Sequence, residues 1–451
     1  MLQRCKLRRI KRSGNDLSQW ASHTHHAKQG TKGKGSTCAW AESYLRAHGK
    51  RTGFPDKTGL YTSPHLVCPE ERVRIDFEPL CKGEFARYFF EVWSCLVERN
   101  DEKINALPRY HQLLLIVALH AFISEGVEAA IIETHHGGEY DATNVISRPV
   151  VTVITSLGMD HVEQLGPTIE NIAWHKSGIF KNGAHAFSAP QESASAAEVL
   201  RHRAADNGVP IQFVSADESL LPAGPPRFHP PVQVLNCSVA LAAARDFLRQ
   251  RAPRVSSQGS DILNEDDIQR AVEGFSWPGR FQVVVEENHE WFLDSAHNEM
   301  SVSKASGWFI ESISGDAGPS LGEKPKRALI FGQSHNNNRD PVSVLDSLAV
   351  CLKPIHFDKV IFTLSYDRDQ LYQARRQDTG PEDGELLGSF EKTWRKHYPD
   401  SDVVQVGDVE QAMTTARDSS AGAGGRTQTL ITGCLLLVGE ALSVLNGGTV
   451  V

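Results

Sequence analysis

The residues best suited to chemistry form one glycine-rich segment near the amino terminus. Residues 30–37 read GTKGKGST and combine three glycines with lysines and hydroxyls. Glycine lets the backbone turn its N–H groups toward a ligand, and the second lysine can place its charge against the β- and γ-phosphates of ATP. The candidate nucleotide-binding residues are Gly30, Thr31, Lys32, Gly33, Lys34, Gly35, Ser36 and Thr37. Gly35 interrupts the commonest spelling of a phosphate loop, so a flexible solvated loop is the alternative interpretation.

Composition places the chain among ordinary globular proteins. Its 451 residues suggest two or three domains, and 40% of them are hydrophobic, which is ample for buried cores. The formal net charge of -8 argues against a general nucleic-acid binder. The 8 cysteines include no CxxC pair, and the apolar runs are too short to cross a bilayer. We therefore expect a soluble protein of a reducing compartment, without a zinc site or a disulfide framework.

The first residues of the chain, MLQRCKLRRIKRSGN, are rich in lysine and arginine and contain no acid. This composition resembles that of a mitochondrial presequence, but an irregular solvated terminus has the same composition. The expected localisation is therefore open between the cytoplasm and the mitochondrion.

Short β-branched runs alternate with helical patterns along the chain. The strand candidates are Ala129–Glu133, Val150–Thr155, Ala328–Gly332, Lys359–Thr363 and Thr429–Thr432. The helix candidates, with apolar residues three and four apart, are Thr37–His48, Phe85–Arg99, His111–Glu125, Val234–Arg249 and Asp340–Cys351. Apolar runs of this kind are typical of strands buried on both faces of a parallel sheet, so the predicted fold class is α/β.

A phosphate loop should follow a buried strand, and the sequence before Gly30 does not predict one. Residues 18–29 read SQWASHTHHAKQ, which is polar and poor in β-branched residues. We expect this first strand to be absent or degraded, and residues 1–29 to be irregular or a targeting segment. A domain boundary is predicted near Ser276–Arg280, between a P-loop-type, mostly parallel sheet domain (30–276) and a smaller Rossmann-like α/β domain (277–451).

Seven motifs, in this order, resemble the successive signatures of the folylpolyglutamate synthase family of the Mur ligase superfamily. They are GTKGKGST (30–37), TSPHL (62–66), ETHHGGEYDATN (133–144), SLGMDH (156–161), IAWHKSGIFK (172–181), WPGRFQ (277–282) and LDSAHN (293–298). The spelling of the first and third motifs is similar to that of the eukaryotic, fungal-type members. The resemblance covers roughly residues 30–451.

The resemblance implies a ligase of one-carbon metabolism that adds L-glutamate to the γ-carboxylate of a folate. ATP would activate that carboxylate as an acyl phosphate, which the amine then attacks. The resemblance further implies a monomer with two Mg²⁺ ions, a monovalent cation, no nucleic-acid partner, and an active site between the two domains. Lys34, Lys176 and His297 take the catalytic positions, and Asn236, Arg280, Asp294 and His297 take nucleotide-binding positions. Residues 334–340 form a polar loop where glutamate binding is an expectation without assigned residues.

Three residues are the candidate metal ligands. Glu133 ends an apolar strand, and its hard oxygens suit Mg²⁺, with the hydroxyl of Ser63 as a partner. The resemblance adds His161 as a ligand of the second Mg²⁺ and Lys176 as the lysine that relatives carry as a carbamate. The alternatives are a helix cap or a surface carboxylate for Glu133, a structural hydrogen bonder for His161 and a surface lysine for Lys176.

Two other functions stay open at this point. One is an amide ligase that acts on a different carboxylic acid in specialised metabolism, because the sequence does not reveal the folate pocket. The other is a catalytically impaired paralogue, which the missing strand before Gly30 would support.

Overall fold

The computed structural model describes residues 25–29, 33–98, 107–221, 230–253, 261–314, 325–333, 340–364, 381–418 and 426–447. These residues divide into two compact units. The first contains the described residues up to His65 together with Pro69–Leu221 and Gln233–Ser276. The second contains Leu66–Cys68, residues 230–232 and the described residues from Trp277 onward. From the SWPGR sequence onward, the chain thus belongs to the second unit.

The first unit is built on a mixed 8-stranded sheet. Its strands are β1 (His25–Gln29), β2 (Thr58–Tyr61), β3 (Val73–Ile75), β4 (Glu78–Pro79), β5 (Ala129–Glu133), β6 (Val151–Ile154), β7 (His185–Ser188) and β8 (Ile211–Phe213). Their order is β4-β3-β2-β5-β1-β6-β7-β8, and only β3 and β4 run antiparallel to their neighbours. Every residue of β5 and β6 is buried, as expected for parallel strands covered on both faces.

Strand β1 corrects the expectation that no strand precedes Gly30. His25–Gln29 lies in the middle of the sheet, with β5 on one side and β6 on the other, both parallel to it. His26 is in register with Ile131 and with Val151. Composition misled the prediction because the strand is held by backbone hydrogen bonds to two neighbours, and these do not depend on β-branched side chains.

Eight α-helices accompany these strands among the described residues, and four of them correspond to the helices predicted for this part of the chain. The eight are α1 (Lys34–Thr52), α2 (Lys82–Glu98), α3 (Tyr110–Glu125), α4 (Val162–Leu165), α5 (Ile169–Lys176), α6 (Ala194–Asp206), α7 (Pro231–Arg251) and α8 (Glu265–Glu273). Helix α1 is buried along most of its length, and Trp40 stacks on Phe275 with ring centroids 3.4 Å apart. Near its other end Arg51 holds the buried carboxylate of Asp267 with two atoms of its guanidinium group. These contacts fix the helix that begins at the glycine-rich loop.

The second unit carries a 6-stranded sheet in the order β13-β12-β11-β14-β10-β9. Its strands are β9 (Gln282–Glu286), β10 (His289–Leu293), β11 (Lys326–Phe331), β12 (Lys359–Phe362), β13 (Val403–Gln405) and β14 (Thr427–Thr432), and only β9 is antiparallel. Its helices are α9 (Glu299–Ser314), α10 (Pro341–Cys351), α11 (Pro381–Arg395), α12 (Val409–Asp418) and α13 (Leu435–Leu445).

Alternating residues of β10 supply two separate cores in the second unit. Phe292 packs with Trp308 and Trp394 in one hydrophobic cluster, whereas Trp291 packs with Met413 in another. Successive side chains of a strand point to opposite faces, so the sheet is covered on both sides. The α/β class and parallel strands predicted from the sequence are confirmed.

The structure bears on two expectations that were drawn from composition. Within the described ranges, no helix is long and apolar enough to cross a membrane. All seven cysteines in those ranges are free thiols, and Cys5 lies outside them.

Candidate functional site

The candidate site of the first unit lies at the carboxyl edge of its sheet. Parallel strands β2, β5 and β6 end there, at Tyr61, Glu133 and Ile154, and helix α1 begins shortly after β1 ends. Open α/β sheets bind ligands at this edge, because loops from several strands meet there. The predicted metal ligands lie at or after these strand ends: Ser63 follows β2, Glu133 ends β5 and His161 follows β6.

Gly33 opens helix α1 in a conformation that suits glycine alone. Its φ is 81°, in the left-handed region, and its carbonyl accepts hydrogen bonds of 2.8 Å from both the N–H and the Oγ1 of Thr37. A β-carbon at this position would lie 2.4 Å from Oδ1 of Asn236, which Thr37 Oγ1 contacts at 3.3 Å. The first turn contains no acidic residue, so the N–H groups and positive dipole end of α1 favour an anion. The structure therefore brings Asn236 to the phosphate loop; Gly30, Thr31 and Lys32 lie outside the described residues.

Glu133 is a buried carboxylate held in place by Ser63. Only 4% of Glu133 is exposed, and its Oε2 accepts a 3.0 Å hydrogen bond from the backbone N–H of Ser63. The surface-carboxylate alternative is therefore wrong. The last residue of β5 and the loop after β2 are thus joined through this hydrogen bond.

Lys176 is buried, which rules out the surface-lysine alternative. It ends helix α5 with 2% exposure, and the loop after β5 packs directly on its backbone. A β-carbon on Gly138 would lie 2.5 Å from the carbonyl oxygen of His175 and 2.8 Å from that of Lys176. Glu139 N–H donates to His175 O at 2.8 Å. Because Gly138 has no side chain, this loop can pack against the end of α5.

His161 and His136 form a pair of imidazoles. Their ring centroids are 3.6 Å apart with an interplanar angle of 50°, and His161 caps helix α4 with a φ of 53°. Burial is the largest cause that lowers the pKa of His136; a hydrogen bond with Gln164 opposes it, and the charges of Lys176 and Lys34 lower this pKa further. The charges of two predicted site residues, Lys34 and Lys176, thus act on the imidazole of His136.

A buried network next to Glu133 was not predicted. Tyr61 Oη lies 2.6 Å from His135 Nε2, and His135 Nδ1 lies 3.3 Å from Asp141 Oδ1. Asp141 also accepts hydrogen bonds from the N–H of His136 (2.7 Å) and from the N–H and hydroxyl of Thr143 (2.9 and 2.7 Å). Burial acts to raise the pKa of Asp141, but His135 and these donors overcome it and lower the pKa to about 2. The motif ETHHGGEYDATN was recognised, but its individual polar residues gave no signal of these pairings.

A further imidazole joins this network from helix α3. His111 stacks on His135 with ring centroids 4.7 Å apart, and burial, with the charges of His135 and Arg72, lowers the pKa of His111 to about 4. The guanidinium group of Arg72 lies 5.4 Å from the ring of Tyr110. The edge of the sheet thus holds a cluster of rings beside the carboxylates.

The predicted residues of the second unit cluster at the carboxyl end of β10. Asp294 is buried, and its Oδ2 accepts a 3.0 Å hydrogen bond from Phe281 N–H, which braces the turn that carries Arg280. Arg280 Nη1 donates to Gly279 O at 3.0 Å, and His297 Nδ1 lies 2.8 Å from Ser295 O. The structure thus brings Arg280, Asp294 and His297 to one edge of this sheet. Of the polar loop 334–340, only Asp340 lies within the described residues.

The donor set at Glu133 fits a magnesium ion. Among the described residues no three His, Cys, Asp or Glu side chains form a ready-made metal cluster. Mg²⁺ rarely uses such a cage and is usually held by one or two carboxylates together with water and substrate phosphates. A single buried carboxylate, hydrogen-bonded to the backbone of Ser63 at the carboxyl edge of the sheet, matches that pattern.

No family model matches the chain. A folylpolyglutamate synthase of Neurospora crassa is 37% identical over 98% of this chain and 84% of its own length. The mitochondrial folylpolyglutamate synthase of Homo sapiens is 36% identical over 74% of this chain and 57% of its own length. The chain therefore spans a little over half of this mammalian relative.

Solved structures share the fold at lower identity. A Mycobacterium tuberculosis folylpolyglutamate synthase complexed with ADP and AMPPCP has a TM-score of 0.73 and 22% identity, covering 99% of this chain and 96% of that chain. Escherichia coli FolC in complex with DHPP and ADP has a TM-score of 0.68 and 23% identity, covering 95% and 89%. A bifunctional folylpolyglutamate synthase/dihydrofolate synthase of Yersinia pestis, complexed with AMPPNP and a Mn ion, has a TM-score of 0.68 and 22% identity, covering 99% and 96%.

Proposed function

Because the chain belongs to the folylpolyglutamate synthase family, we propose that it adds L-glutamate to the γ-carboxylate of a folate, with ATP converted to ADP and phosphate. The observation that carries this proposal is the set of groups at the carboxyl edge of the first sheet. The amino end of α1, the buried carboxylate of Glu133 and the buried Lys176 follow strands that end there. Such a set serves phosphoryl transfer, where positioning and charge neutralisation supply most of the catalysis.

The reaction proceeds in two steps. A γ-carboxylate oxygen of the folate attacks the γ-phosphorus of ATP, the bond to the bridging oxygen breaks, and ADP leaves with its electrons. The amine of glutamate then attacks the carbonyl carbon of the acyl phosphate, phosphate leaves, and the nitrogen loses a proton. The N–H groups from Gly33 to Ser36 and the charge of Lys34 hold the β- and γ-phosphates throughout.

Two Mg²⁺ ions belong to this proposal. Glu133 and Ser63 would hold the first, and His161 the second, with Lys176 contributing as a carbamate. Bound Mg²⁺ supplies charge neutralisation on the transferred phosphoryl group. The burial of Glu133 and Lys176 supports these roles, as does the place of Glu133 at the end of β5, where its carboxylate accepts from Ser63 N–H.

Four residues take nucleotide-binding roles in this proposal. Asn236 is supported by its contact with Thr37 and its closeness to Gly33. Arg280, Asp294 and His297 are supported by their grouping at the end of β10, and His297 also takes a catalytic role. Arg280 provides a guanidinium fork that matches phosphate oxygens.

The remaining elements of the proposal are a monovalent cation as cofactor, a monomeric enzyme, and action in the cytoplasm and in mitochondria. Mammalian relatives named as mitochondrial forms support the last of these. Potassium dependence of the rate, size-exclusion chromatography with light scattering, and fractionation of the source cells test the three in turn.

Mass spectrometry of folate products tests the main proposal. The protein is incubated with tetrahydrofolate, L-glutamate, ATP and Mg²⁺, alongside Lys34→Ala and Glu133→Ala. Lys50→Ala, an exposed lysine at the far end of the same helix, and Glu198→Ala, an exposed carboxylate of α6, are the matched controls. We expect glutamyl-extended folates from the wild type and both controls, and a loss of at least a hundredfold in the two site variants.

Other outcomes separate the alternatives. ATP turnover that depends on Lys34 but yields no extended folate would indicate a different carboxylic acid as acceptor. A folded protein with neither activity would indicate an impaired paralogue. That alternative depended on the absence of a strand before Gly30, and the structure has strand β1 at that place.

A further inference from the structure

The side chain of Glu139 joins the loop after β5 to helix α6. Its Oε2 accepts a hydrogen bond from Arg203 Nη2, and the two groups form an ion pair. The side chain of Arg203 is 19% exposed and that of Glu139 is 29% exposed. Solvent and salt screen a covered pair of this kind less than a fully exposed one, so it can constrain the two elements that it joins.

Arg203 also contacts helix α5, close to Lys176. Its guanidinium carbon lies 4.6 Å from the ring centroid of Trp174, which is two residues before Lys176. Ala173 of α5 and Leu200 of α6 belong to the same hydrophobic cluster, so the two helices pack together. A planar guanidinium group can stack on an aromatic ring and also donate to a carboxylate. Arg203 therefore links the loop after β5 with the helix that carries Lys176.

The backbone of Glu139 meets the chain on both sides of Lys176. Its N–H donates to His175 O at 2.8 Å. Its carbonyl accepts from Asn144 Nδ2 at 2.9 Å, and the same amide group donates to Gly178 O at 3.2 Å. A β-carbon on Gly178 would overlap the backbone of Glu139. The position of Glu139 thus constrains where the chain at Lys176 can lie.

Lys181 places a second cation near the Glu139 carboxylate. Its Nζ donates to Gly178 O at 3.0 Å. Burial is the largest cause that lowers the pKa of Lys181, the charge of Glu139 opposes this effect, and that of Arg203 adds to it. Loss of the Glu139 charge therefore affects two cations, whereas loss of the Arg203 charge leaves Lys181 near the carboxylate.

The loop that is held in this way begins at Glu133, the proposed ligand of the first Mg²⁺. Glu139 lies six residues further along the same loop, against the segment that contains Lys176. The place of Lys176 relative to Glu133 therefore depends on how firmly this loop is held against α5. Catalysis by positioning is sensitive to such contacts, because a displacement of about 1 Å can lower a rate about a hundredfold.

We propose that Glu139 and Arg203 are positioning residues, whose ion pair holds the loop after β5 against the end of α5 and keeps Lys176 in place relative to Glu133. This inference rests on the ligase function and the role of Lys176 proposed above. The two residues act through Lys176 and not by contact with a substrate.

Steady-state kinetics of folate extension by the full chain test the proposal. Arg203→Gln and Glu139→Gln remove the ion pair, and Arg203→Lys keeps the charge without the planar fork. Arg201→Gln and Glu198→Gln are the matched controls, because they break an exposed ion pair of the same helix. We expect kcat to fall about tenfold or more in Arg203→Gln, and at least as much in Glu139→Gln, with less than a twofold change in the KM for ATP and for folate. Arg203→Lys should retain more of kcat than Arg203→Gln, and both controls should match the wild type.

Hydrogen exchange of residues 172–178 supplies a measurement that does not depend on activity. We expect these amides to exchange about tenfold faster in Arg203→Gln and Glu139→Gln than in the wild type, and at the wild-type rate in both controls. The variant that removes both charges should exchange no faster than Glu139→Gln alone, because the two residues act as one unit.

A folded Arg203→Gln with wild-type kcat would overturn the proposal, as would unchanged exchange at residues 172–178 or an equal loss of kcat in the controls. A loss that appears in KM and not in kcat would overturn it as well. If Arg203→Gln does not fold, Arg203→Lys and Glu139→Gln provide the same comparison. If the wild type does not extend folate, the ligase proposal fails and hydrogen exchange alone decides whether the pair holds this segment. If folate is extended equally by all variants, the ligase proposal stands and the positioning role fails.

Discussion

Gly33 and Gly53 lie at the two ends of helix α1, and comparing them allows the contact between the phosphate loop and Asn236 to be measured. Gly33 and Gly53 have the same φ of 81°, in the left-handed region. Alanine at either position therefore meets the same backbone strain, about 1 kcal/mol. The surroundings differ: a β-carbon at Gly33 would lie 2.4 Å from Asn236 Oδ1, whereas at Gly53 it would meet nothing within 4 Å.

We expect Gly53→Ala to lower the free energy of unfolding by about 1 kcal/mol and Gly33→Ala to lower it by about 2 to 3 kcal/mol. The additional loss arises because Asn236 must move away, which removes its 3.3 Å share of the hydrogen bond that the Thr37 hydroxyl also donates to Gly33 O, and a buried hydrogen bond contributes about 1 kcal/mol. Because the N–H groups of the loop move as well, ADP affinity should fall at least tenfold in Gly33→Ala only.

Urea unfolding and isothermal titration with ADP measure the two effects. The wild type, both single variants and Asn236→Ala, alone and combined with Gly33→Ala, are compared, so that the contact is read from a double-mutant cycle. Equal losses of stability in Gly33→Ala and Gly53→Ala, with unchanged ADP affinity in both, would refute the role assigned to Asn236. Additive effects of Gly33→Ala and Asn236→Ala would do the same.

Two further predictions concern buried titratable groups. Because the pKa of Asp141 is lowered from 3.8 to about 2, its carboxylate stabilises the fold by about 2 kcal/mol above pH 4, and this contribution is lost as the pH falls toward 2. Asp141→Asn should therefore unfold earlier in urea at pH 7, and a loss below a few tenths of a kcal/mol would contradict the network. Burial, with the charge of Arg417, lowers the pKa of His289 from 6.5 to about 4. The neutral imidazole therefore contributes fully to the stability of the fold above pH 6.5, and this contribution declines as the pH falls toward 4. Between pH 7 and 4.5 the thermal midpoint of the second unit should fall less in His289→Gln than in the wild type, and parallel pH curves would contradict this.

The strands that the sequence predicted share one property, which is burial on both faces. Ala129–Glu133 contains four apolar residues and is found with the predicted bounds, and Lys359–Phe362 differs from the prediction by one residue. Such runs can be recognised because both faces must be apolar. Strand His25–Gln29 lacks that composition, and no local pattern reveals that two neighbours hold its backbone.

The candidate site was predictable residue by residue but not as an arrangement. Glu133 was recognised because a carboxylate directly after four apolar strand residues is unusual, and the structure shows it buried against Ser63. The contact between His136 and His161 depends on two loops that the sheet order brings together, although the residues are far apart in the chain. The roles of Arg280, Asp294 and His297 stay predictions, since their hydrogen bonds show only how they are held.

The position of β1 also has a consequence for the order in which the protein assembles during synthesis. The earliest strand of the sheet pairs with β5 and β6, so its backbone cannot be satisfied until the ribosome has delivered residues up to Ile154. Pairings this distant in sequence raise contact order and slow folding. Until then the nascent segment before the phosphate loop has no neighbour to pair with, and a ribosome-stalling experiment should find it accessible to protease at chain lengths short of β6 and protected beyond.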